Sequence, residues 1–190
     1  AKLGFDPDRD LRNELKRDVQ LRIAERGTAT AILVSGDIAY AGKRNEYEDA
    51  ASWLSDLCTA AGCELNAVFV CPGNHDIDQD VLRANSMIQD AHDAIRREGG
   101  AYDRDAALVR RLQQPEARNM LYAPLREYND FAARFGCDFF GDADSFVVEH
   151  DFELNDGSTL RLRALNSALL SGLSDARQSL YLGSRAWTLP

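Results

Sequence analysis

The chain has 190 residues, of which 45% are hydrophobic and 28% are charged, a composition typical of a soluble globular domain that buries a core. Its 31 acidic and 22 basic side chains give a formal net charge of −9, which argues against nucleic-acid binding through a broad basic surface. The same charge does not exclude an anionic substrate, because bound metal ions can reverse the local field.

The first predicted elements are a helix and a short strand. Asp6 or Asp8 can cap the helix, Pro7 suits its first turn, and Gly27 supplies its end. A short apolar run at residues 29–34 then predicts a buried parallel strand. The apolar positions that recur at helical spacing in the first helix are Leu11, Leu15, Val19 and Ile23.

A second helix and a second strand follow in the same order. The helix is predicted over residues 46–61, where Gly62 ends it, and the strand over residues 65–70. This alternation of helices and strands predicts an α/β sheet.

The rest of the chain divides into a helical region and a hairpin. Residues 78–136 carry three helical stretches, at 80–97, at 103–112 and from Pro115 to Phe135. Alternating strands at 145–154 and 159–165 flank the turn sequence Asn-Asp-Gly-Ser at 155–158, which predicts a β-hairpin. Residues 180–190 are expected to begin another helix.

Each of the two early strands runs directly into a loop that carries glycine and polar side chains. Ser35-Gly36-Asp37 follows the first strand, and the sequence Cys-Pro-Gly-Asn-His-Asp at 71–76 follows the second. Loops beyond the carboxyl ends of neighbouring strands are where ligands bind in open α/β sheets. Carboxylate, carboxamide and imidazole groups are ligands for Mn, Fe, Zn or Mg, and two such metals can bind a phosphoryl group.

The two loops together resemble the calcineurin-like metallophosphoesterase superfamily, whose pattern runs DxH, GD, GNH[DE], a lone His and GHxH. Ser35-Gly36-Asp37 matches the second block, and Gly-Asn-His-Asp at 73–76 matches the third. The longer strings VSGDIAYAGK at 34–43 and PGNHDI at 72–77 look like a bacterial branch of that family. The resemblance covers residues 29–78, and a weaker likeness returns at 160–170.

The resemblance implies hydrolysis of a small phosphomonoester or phosphodiester, with cyclic nucleotides among the substrates, by a hydroxide that bridges two divalent metal ions (Mn, Fe, Zn or Mg). Asp37 would bridge the two metals, and Asn74 would ligate one of them. His75 would stabilise the transition state or protonate the leaving oxygen, and Asp76 would orient His75 through a hydrogen bond. Asn166, at the end of a strand, is a weaker candidate for substrate binding.

The fold that the resemblance implies is a four-layer α/β/β/α sandwich of the α/β (α+β) class. Residues 1–190 would form an incomplete domain of this kind, with residues 77–140 as a helical insertion. Because the insertion starts directly after the Gly-Asn-His-Asp block, it could cover the site like a lid.

Three blocks of the family pattern have no match in this sequence. The only DxH string, Asp90-Ala91-His92, falls in a predicted helix, where positions i and i+2 point about 200° apart, so we reject it as a metal motif. His92 is interpreted as a surface or inter-helix histidine. No histidine follows His150, which lies in an alternating strand and is interpreted as structural or solvent-facing. The simplest hypothesis is that the chain is a fragment with an incomplete metal site.

Other readings compete with a metal-dependent hydrolase. A degenerate, metal-poor module with a regulatory or assembly role is the main alternative, and a nuclease gains no support from the net charge. A serine or cysteine hydrolase is not supported, because the sequence contains neither a GxSxG elbow nor a Cys-His signature.

Other polar and aromatic residues are given structural roles. Asp78 and Asp80 are predicted to cap a helix. The aromatic residues predicted to form the core of the insertion are Tyr122, Tyr128, Phe131, Phe135, Phe139 and Phe140.

Two further expectations concern the cell compartment. The four cysteines form no CxxC pair and no dense framework, which favours reduced thiols in a cytoplasmic protein. No signal peptide is recognised, and no apolar stretch approaches the roughly 20 residues that a membrane span requires.

Overall fold

A computed structural model of the protein describes residues 8–139, 147–154, 156–173, 175 and 180–183. The helices in this part of the chain are α1 (Arg9–Arg26), α2 (Arg44–Ala61), α3 (Gln79–Ala84), α4 (Ser86–Arg96), α5 (Ala101–Leu112), α6 (Pro115–Tyr122) and α7 (Arg126–Ala132). The strands are β1 (Ile32–Val34), β2 (Val68–Val70), β3 (Val147–Glu153) and β4 (Thr159–Leu165).

The four described strands form two separate pairs. β1 and β2 are parallel, with Leu33 opposite Phe69, whereas β3 and β4 form an antiparallel hairpin, with His150 opposite Leu162. Phe69 joins the two pairs, because its ring centroid lies 4.3 Å from that of His150 and 4.9 Å from that of Phe152. The mixed α and β architecture and both strand pairings are therefore confirmed, and the full four-layer sandwich stays a prediction.

Glycine ends the first two helices, as the sequence predicts. Gly27 follows α1 with a φ of +88°, and Gly62 follows α2 in the left-handed conformation with a φ of +69°. The second strand is shorter than predicted, because Leu65–Ala67 forms a 3₁₀ turn closed by a 3.0 Å hydrogen bond from the Ala67 N–H to the Glu64 carbonyl. The side chain of Leu65 is exposed, so the apolar run does not lie wholly in the core.

The region between the two strand pairs is helical, as predicted, with one additional break. Asn85 ends α3, and its Oδ1 accepts a 3.1 Å hydrogen bond from the Met87 N–H at the start of α4. Phe140 lies outside the described residues, as do residues 184–190 of the predicted final helix, and residues 180–183 are not helical. The predicted core aromatics that are described are all buried: Tyr122, Tyr128, Phe131, Phe135 and Phe139.

The first helix differs from the others in how little of it is buried. None of its residues is buried, and Leu11 is 71% exposed. Val19 packs partly against the core, and the Lys16 ammonium lies 3.2 Å from the Asp56 carboxylate on α2. α1 is therefore attached to the side of the domain, and none of the described helices is long and apolar enough to cross a membrane.

His92 lies on α4 inside the helical region and is only 4% exposed, which confirms its interpretation as an inter-helix histidine. Its Nε2 has no hydrogen-bond partner among the described residues. Burial, assisted by the positive charge of Arg96, lowers the pKa of His92 to about 4 from the ordinary value of 6.5.

This burial predicts a pH-dependent stability. Between pH 4 and 6.5 the unfolded chain binds more protons than the folded chain. The contribution of His92 to the free energy of unfolding is therefore complete above pH 6.5 and is lost as the pH falls toward 4. The change across this window is about 3 kcal/mol in the free energy of unfolding. Urea unfolding of the wild type and a His92→Leu variant at several pH values measures it, because the difference between the two proteins isolates this side chain. The same pH dependence in both proteins would contradict the assignment.

Candidate active site

The two polar loops lie side by side at one edge of the β1–β2 pair. Asp37 follows β1, and Asn74–Asp76 forms a 3₁₀ turn after β2. Because the strands are parallel, their carboxyl ends meet at the same edge, and the His75 N–H donates a 3.1 Å hydrogen bond to Oδ1 of Asp37. The predicted approach of the two loops is confirmed.

Asp37 occupies an unusual backbone conformation. Its φ is +51°, and it is the one residue other than glycine with a positive φ among the described residues. This left-handed conformation is uncommon for side chains other than Asn and Asp. Gly73 lies against Asp37 so closely that a Cβ at that position would overlap the Asp37 backbone nitrogen and Oδ1. The glycine of the second loop therefore makes room for the carboxylate of the first, and this carboxylate is exposed.

The contact between Gly73 and Asp37 predicts that a single methyl group added at position 73 destabilises the protein. A Gly73→Ala substitution is expected to destabilise the protein by about 1–3 kcal/mol, because Asp37 or the loop must move to admit the Cβ. The φ of Gly73 is −103°, so the loss would come from steric overlap and not from backbone strain. Gly99→Ala is the matched control, because nothing lies within 4 Å of its Cβ position. Equal unfolding midpoints for the two variants in urea would contradict this geometry.

Asp76 links the two loops through its buried side chain. Its side chain is 0% exposed, and its carboxylate accepts hydrogen bonds from the N–H groups of Gly73 (2.8 Å), Ala39 (2.9 Å) and Ile38 (3.2 Å). The hydroxyl of Tyr47 on α2 donates a further hydrogen bond of 2.9 Å. The carboxylate thus ties β2's loop to β1's loop and both loops to α2.

The ionisation of Asp76 reflects two opposing effects. Burial raises the pKa of its carboxyl group above 3.8, and the hydrogen bonds from Gly73, Ala39 and Tyr47 oppose this rise without cancelling it. Since the folded state binds this proton more tightly than the unfolded state, the contribution of Asp76 to the free energy of unfolding falls as the pH rises from 3.8 through the raised pKa. The same carboxylate raises the pKa of the Tyr47 hydroxyl, where burial is the larger cause.

His75 is held by a different partner from the one that the family resemblance implies. The hydrogen bond expected between Asp76 and His75 is not formed; instead, Nδ1 of His75 lies 3.2 Å from the backbone carbonyl of Tyr40. A carbonyl only accepts hydrogen bonds, so Nδ1 carries the proton and Nε2 is left for a ligand. The physical reason is the 3₁₀ turn, in which successive side chains point about 120° apart, so that Asp76 points inward while His75 is exposed.

A pocket of about 210 Å³ opens beside the exposed side chains of Asn74 and His75. Tyr40 forms one wall, where its ring stacks on the imidazole of His75 at a centroid distance of 5.6 Å. Lys43 lies in the same pocket, and its ammonium is 2.5 Å from Asp78 and 2.8 Å from Asp80. The remaining lining residues are Ala41, Ile77, Gln79, Asp80 and Arg83.

Several residues of this region were not assigned a role from the sequence. Tyr40 and Lys43 lie in the string that resembles the family, and Tyr47 lies in the predicted second helix, but no chemistry was predicted for these three residues. The sequence feature that could have identified these residues is their position shortly after Asp37. Asp78 was predicted to cap a helix and does so, because its Oδ1 accepts a 2.9 Å hydrogen bond from the Asp80 N–H.

Asn166, the weaker candidate for substrate binding, is not among the residues that line this pocket. It is 3% exposed, and its Oδ1 accepts a 3.1 Å hydrogen bond from the Ala168 N–H in the turn after β4. The structure therefore gives Asn166 a role in that turn.

The oxygen donors at the strand ends fit part of a metal centre. Asp37 and Asn74 offer an exposed carboxylate and an exposed carboxamide on adjoining loops, and both are ligand types of hard divalent cations. Among the described residues, no group of three histidine, cysteine, aspartate or glutamate side chains is placed to hold a metal ion. Asp37 and Asn74 are therefore candidate ligands, and their metal-binding role stays a prediction.

Comparison with known proteins adds no identification to this geometry. No protein-family model matches the sequence, and neither the curated proteins nor the solved structures gave a match.

Proposed function

We propose that this protein takes part in the metal-dependent hydrolysis of a small phosphoester, with its reacting centre at the carboxyl ends of β1 and β2. The observation that carries the proposal is the contact between the two loops, in which the His75 N–H donates to Asp37 Oδ1 beside a pocket of about 210 Å³. It brings a carboxylate, a carboxamide and an imidazole together at one sheet edge. These are ligand types that bind divalent metals, and bound divalent metals can stabilise phosphoryl transfer.

Each side chain has a distinct role in this proposal. Asp37 and Asn74 would hold the metal, because both residues are exposed on adjoining loops at the strand ends. A pair of bound divalent ions would supply an activated water and neutralise charge on the phosphoryl group. His75, with its Nδ1–H donated to the Tyr40 carbonyl, would act as the imidazolium, whose Nε2–H can donate to a phosphoryl oxygen or pass its proton to the leaving oxygen.

Asp76 has a positioning role in this proposal and does not contact the substrate. It is fully buried and fixes the N–H groups of Ile38, Ala39 and Gly73, so it holds the backbone that carries Asp37 and His75. This differs from the direct hydrogen bond to His75 that the family resemblance implies.

Metal dependence tests the proposal. The full-length protein is expected to hydrolyse bis(4-nitrophenyl) phosphate or 4-nitrophenyl phosphate in the presence of Mn²⁺, and a chelator should abolish the reaction. Calorimetric titration with Mn²⁺ provides a second readout, in which Asp37→Ala should weaken binding while Asp93→Ala, an exposed carboxylate on α4 that does not line the pocket, should not. Hydrolysis that survives the chelator, or equal Mn²⁺ affinity in the two variants, would refute the proposal.

One observation favours a second candidate, a non-catalytic module with a regulatory or assembly role. In the described residues, no group of three histidine, cysteine, aspartate or glutamate side chains is placed to hold a metal ion. A metal-poor domain is expected to lack such a group. This candidate predicts no measurable hydrolysis by the full-length protein under any divalent metal, with the fold intact. The hydrolysis assay with Mn²⁺ therefore separates the two candidates.

A further inference from the structure

Two of the four cysteines lie on either side of the C-terminal end of α2. Cys58 lies in the last turn of the helix, and Cys63 follows Gly62, whose left-handed conformation ends it. The Cys63 N–H turns back and donates a 3.2 Å hydrogen bond to the Cys58 carbonyl. This is the hydrogen bond of a Schellman turn, in which the side chains at these two positions are commonly apolar and in contact. Here both positions carry a thiol.

The two thiols are close enough to react with each other. Sγ of Cys58 lies 4.0 Å from the carbonyl oxygen of Glu64, so it points toward the segment that carries Cys63. The thiols of Cys58 and Cys63 also share a side-chain hydrogen bond. The backbone hydrogen bond between these residues limits the separation of their Cα atoms to about 7 Å, which overlaps with the roughly 4.4–6.8 Å that disulfides span. A bond between the sulfur atoms therefore requires little movement of the chain.

The two thiols differ in their access to solvent. Cys58 is only 4% exposed, whereas Cys63 is half-buried. Burial raises the pKa of the Cys58 thiol to about 11, and the neighbouring Cys63 adds to this rise. A thiol that stays protonated is a poor nucleophile, so Cys63 is the one that reacts first with a soluble oxidant.

We propose that Cys58 and Cys63 are a redox modification site, at which a small disulfide such as oxidised glutathione closes a reversible bond between them. The Cys63 thiolate attacks one glutathione sulfur, breaks the glutathione disulfide and releases one glutathione thiolate. The Cys58 thiol then loses its proton, attacks the Cys63 sulfur of the mixed disulfide and releases the second glutathione. Two electrons pass from the protein to glutathione disulfide, and the two released thiolates take up the two protons. An added dithiol reverses the reaction.

The disulfide would fix the junction between α2 and the chain that enters β1. The Ala61 carbonyl accepts a 2.9 Å hydrogen bond from the Ala29 N–H, and a Cβ at Gly62 would lie 2.6 Å from the Thr28 side chain. Because this turn is already formed with reduced thiols, oxidation adds a covalent bond to an existing contact. The ring restricts the unfolded chain, so the oxidised protein should melt about 4–9 °C higher than the reduced protein.

Mass spectrometry of the full chain tests the proposal. The reduced native protein is incubated with oxidised glutathione, quenched in acid and alkylated at its remaining free thiols. The wild type should lose about 2 Da through closure of the disulfide, without keeping a glutathione there. Cys58→Ser and Cys58→Ala should instead keep one glutathione on Cys63, and Cys63→Ser should show neither change. Cys71→Ser is the matched control, because Cys71 is also half-buried but lies after β2; it should lose the same mass as the wild type.

The outcomes against the proposal are equally definite. A wild type that stays reduced, or that keeps glutathione on Cys63 without closing the bond, would overturn it. So would a mass loss that persists in Cys63→Ser or that disappears in Cys71→Ser. Equal melting temperatures for the oxidised and reduced wild type would overturn the stabilising effect. Melting curves of the reduced variants confirm that the compared proteins are folded, and two substitutions at position 58 guard against a variant that fails to fold.

Discussion

Replacing His75 with alanine is expected to lower kcat for phosphoester hydrolysis by about 100- to 10,000-fold, the usual contribution of a positioned acid or base. His75 is exposed and contacts Tyr40 through its ring and Nδ1, so its loss should change the free energy of unfolding by less than about 1 kcal/mol. The loss of rate would then report on the chemistry and not on folding. Steady-state kinetics with Mn²⁺ and urea unfolding of the same preparation measure the two quantities.

Two classes of substrate separate the two roles of His75. If Nε2 protonates the leaving oxygen, His75→Ala should impair an alkyl phosphodiester much more than a nitrophenyl ester, whose leaving group needs no proton. If Nε2 stabilises charge on the phosphoryl group, both substrates should slow by a similar factor. Met87→Ala, an exposed residue on α4, is the control. A His75→Ala rate within twofold of the Met87→Ala rate would exclude both roles.

Replacing Asp76 with alanine is expected to destabilise the protein by about 3–5 kcal/mol, the largest effect on stability that we predict for one side chain. The carboxylate is 0% exposed and accepts hydrogen bonds from Gly73, Ile38 and Ala39 N–H groups and from Tyr47. Its removal leaves these donors buried without a partner, and water can repair this loss only in part. Urea or thermal unfolding monitored by circular dichroism measures the change.

Graded variants test whether the hydrogen bonds are the cause. Asp76→Asn retains one acceptor oxygen but places an NH₂ group against N–H donors, so a loss of about 2 kcal/mol is expected. Tyr47→Phe removes a single hydrogen bond to the same carboxylate and should cost about 1 kcal/mol. If Asp76→Ala proved no more destabilising than Tyr47→Phe, the backbone N–H groups would not depend on this carboxylate.

Patterns that depend on a single local rule were predicted well from the sequence. Gly27 and Gly62 end their helices because glycine adopts a positive φ, and Asp-Gly-Ser at 156–158 lies between β3 and β4, as the hairpin prediction requires. Two predicted element boundaries were wrong for the same reason: the local hydrogen bonds of a short segment favour a structure other than the one that its apolar pattern predicts. Leu65–Ala67 continues an apolar run but forms a 3₁₀ turn, and Asn85 begins a new helix within an apolar periodicity. The sequence Asn85-Ser86 is a helix-cap signal that could have located that break.

At the candidate site, the approach of Asp37 to the second loop was predictable because parallel strands bring their ends together. The partner of Asp76 was not predictable, because the direction of its side chain depends on a three-residue turn and on the position of α2. Tyr47 reaches Asp76 from 29 positions away in the sequence. The partner of His75 is a backbone carbonyl, that of Tyr40, and a sequence pattern does not encode such a contact.

Because α1 is weakly attached, it is expected to unfold locally before the rest of the domain. A helix with no buried residue can separate from the domain at a cost far below that of global unfolding, so its amide protons should exchange through local opening. The chain is anchored again just after α1, where the Ala29 N–H donates a 2.9 Å hydrogen bond to the Ala61 carbonyl. A protease could therefore cut within α1 in the native protein while β1, β2 and their two loops remain assembled.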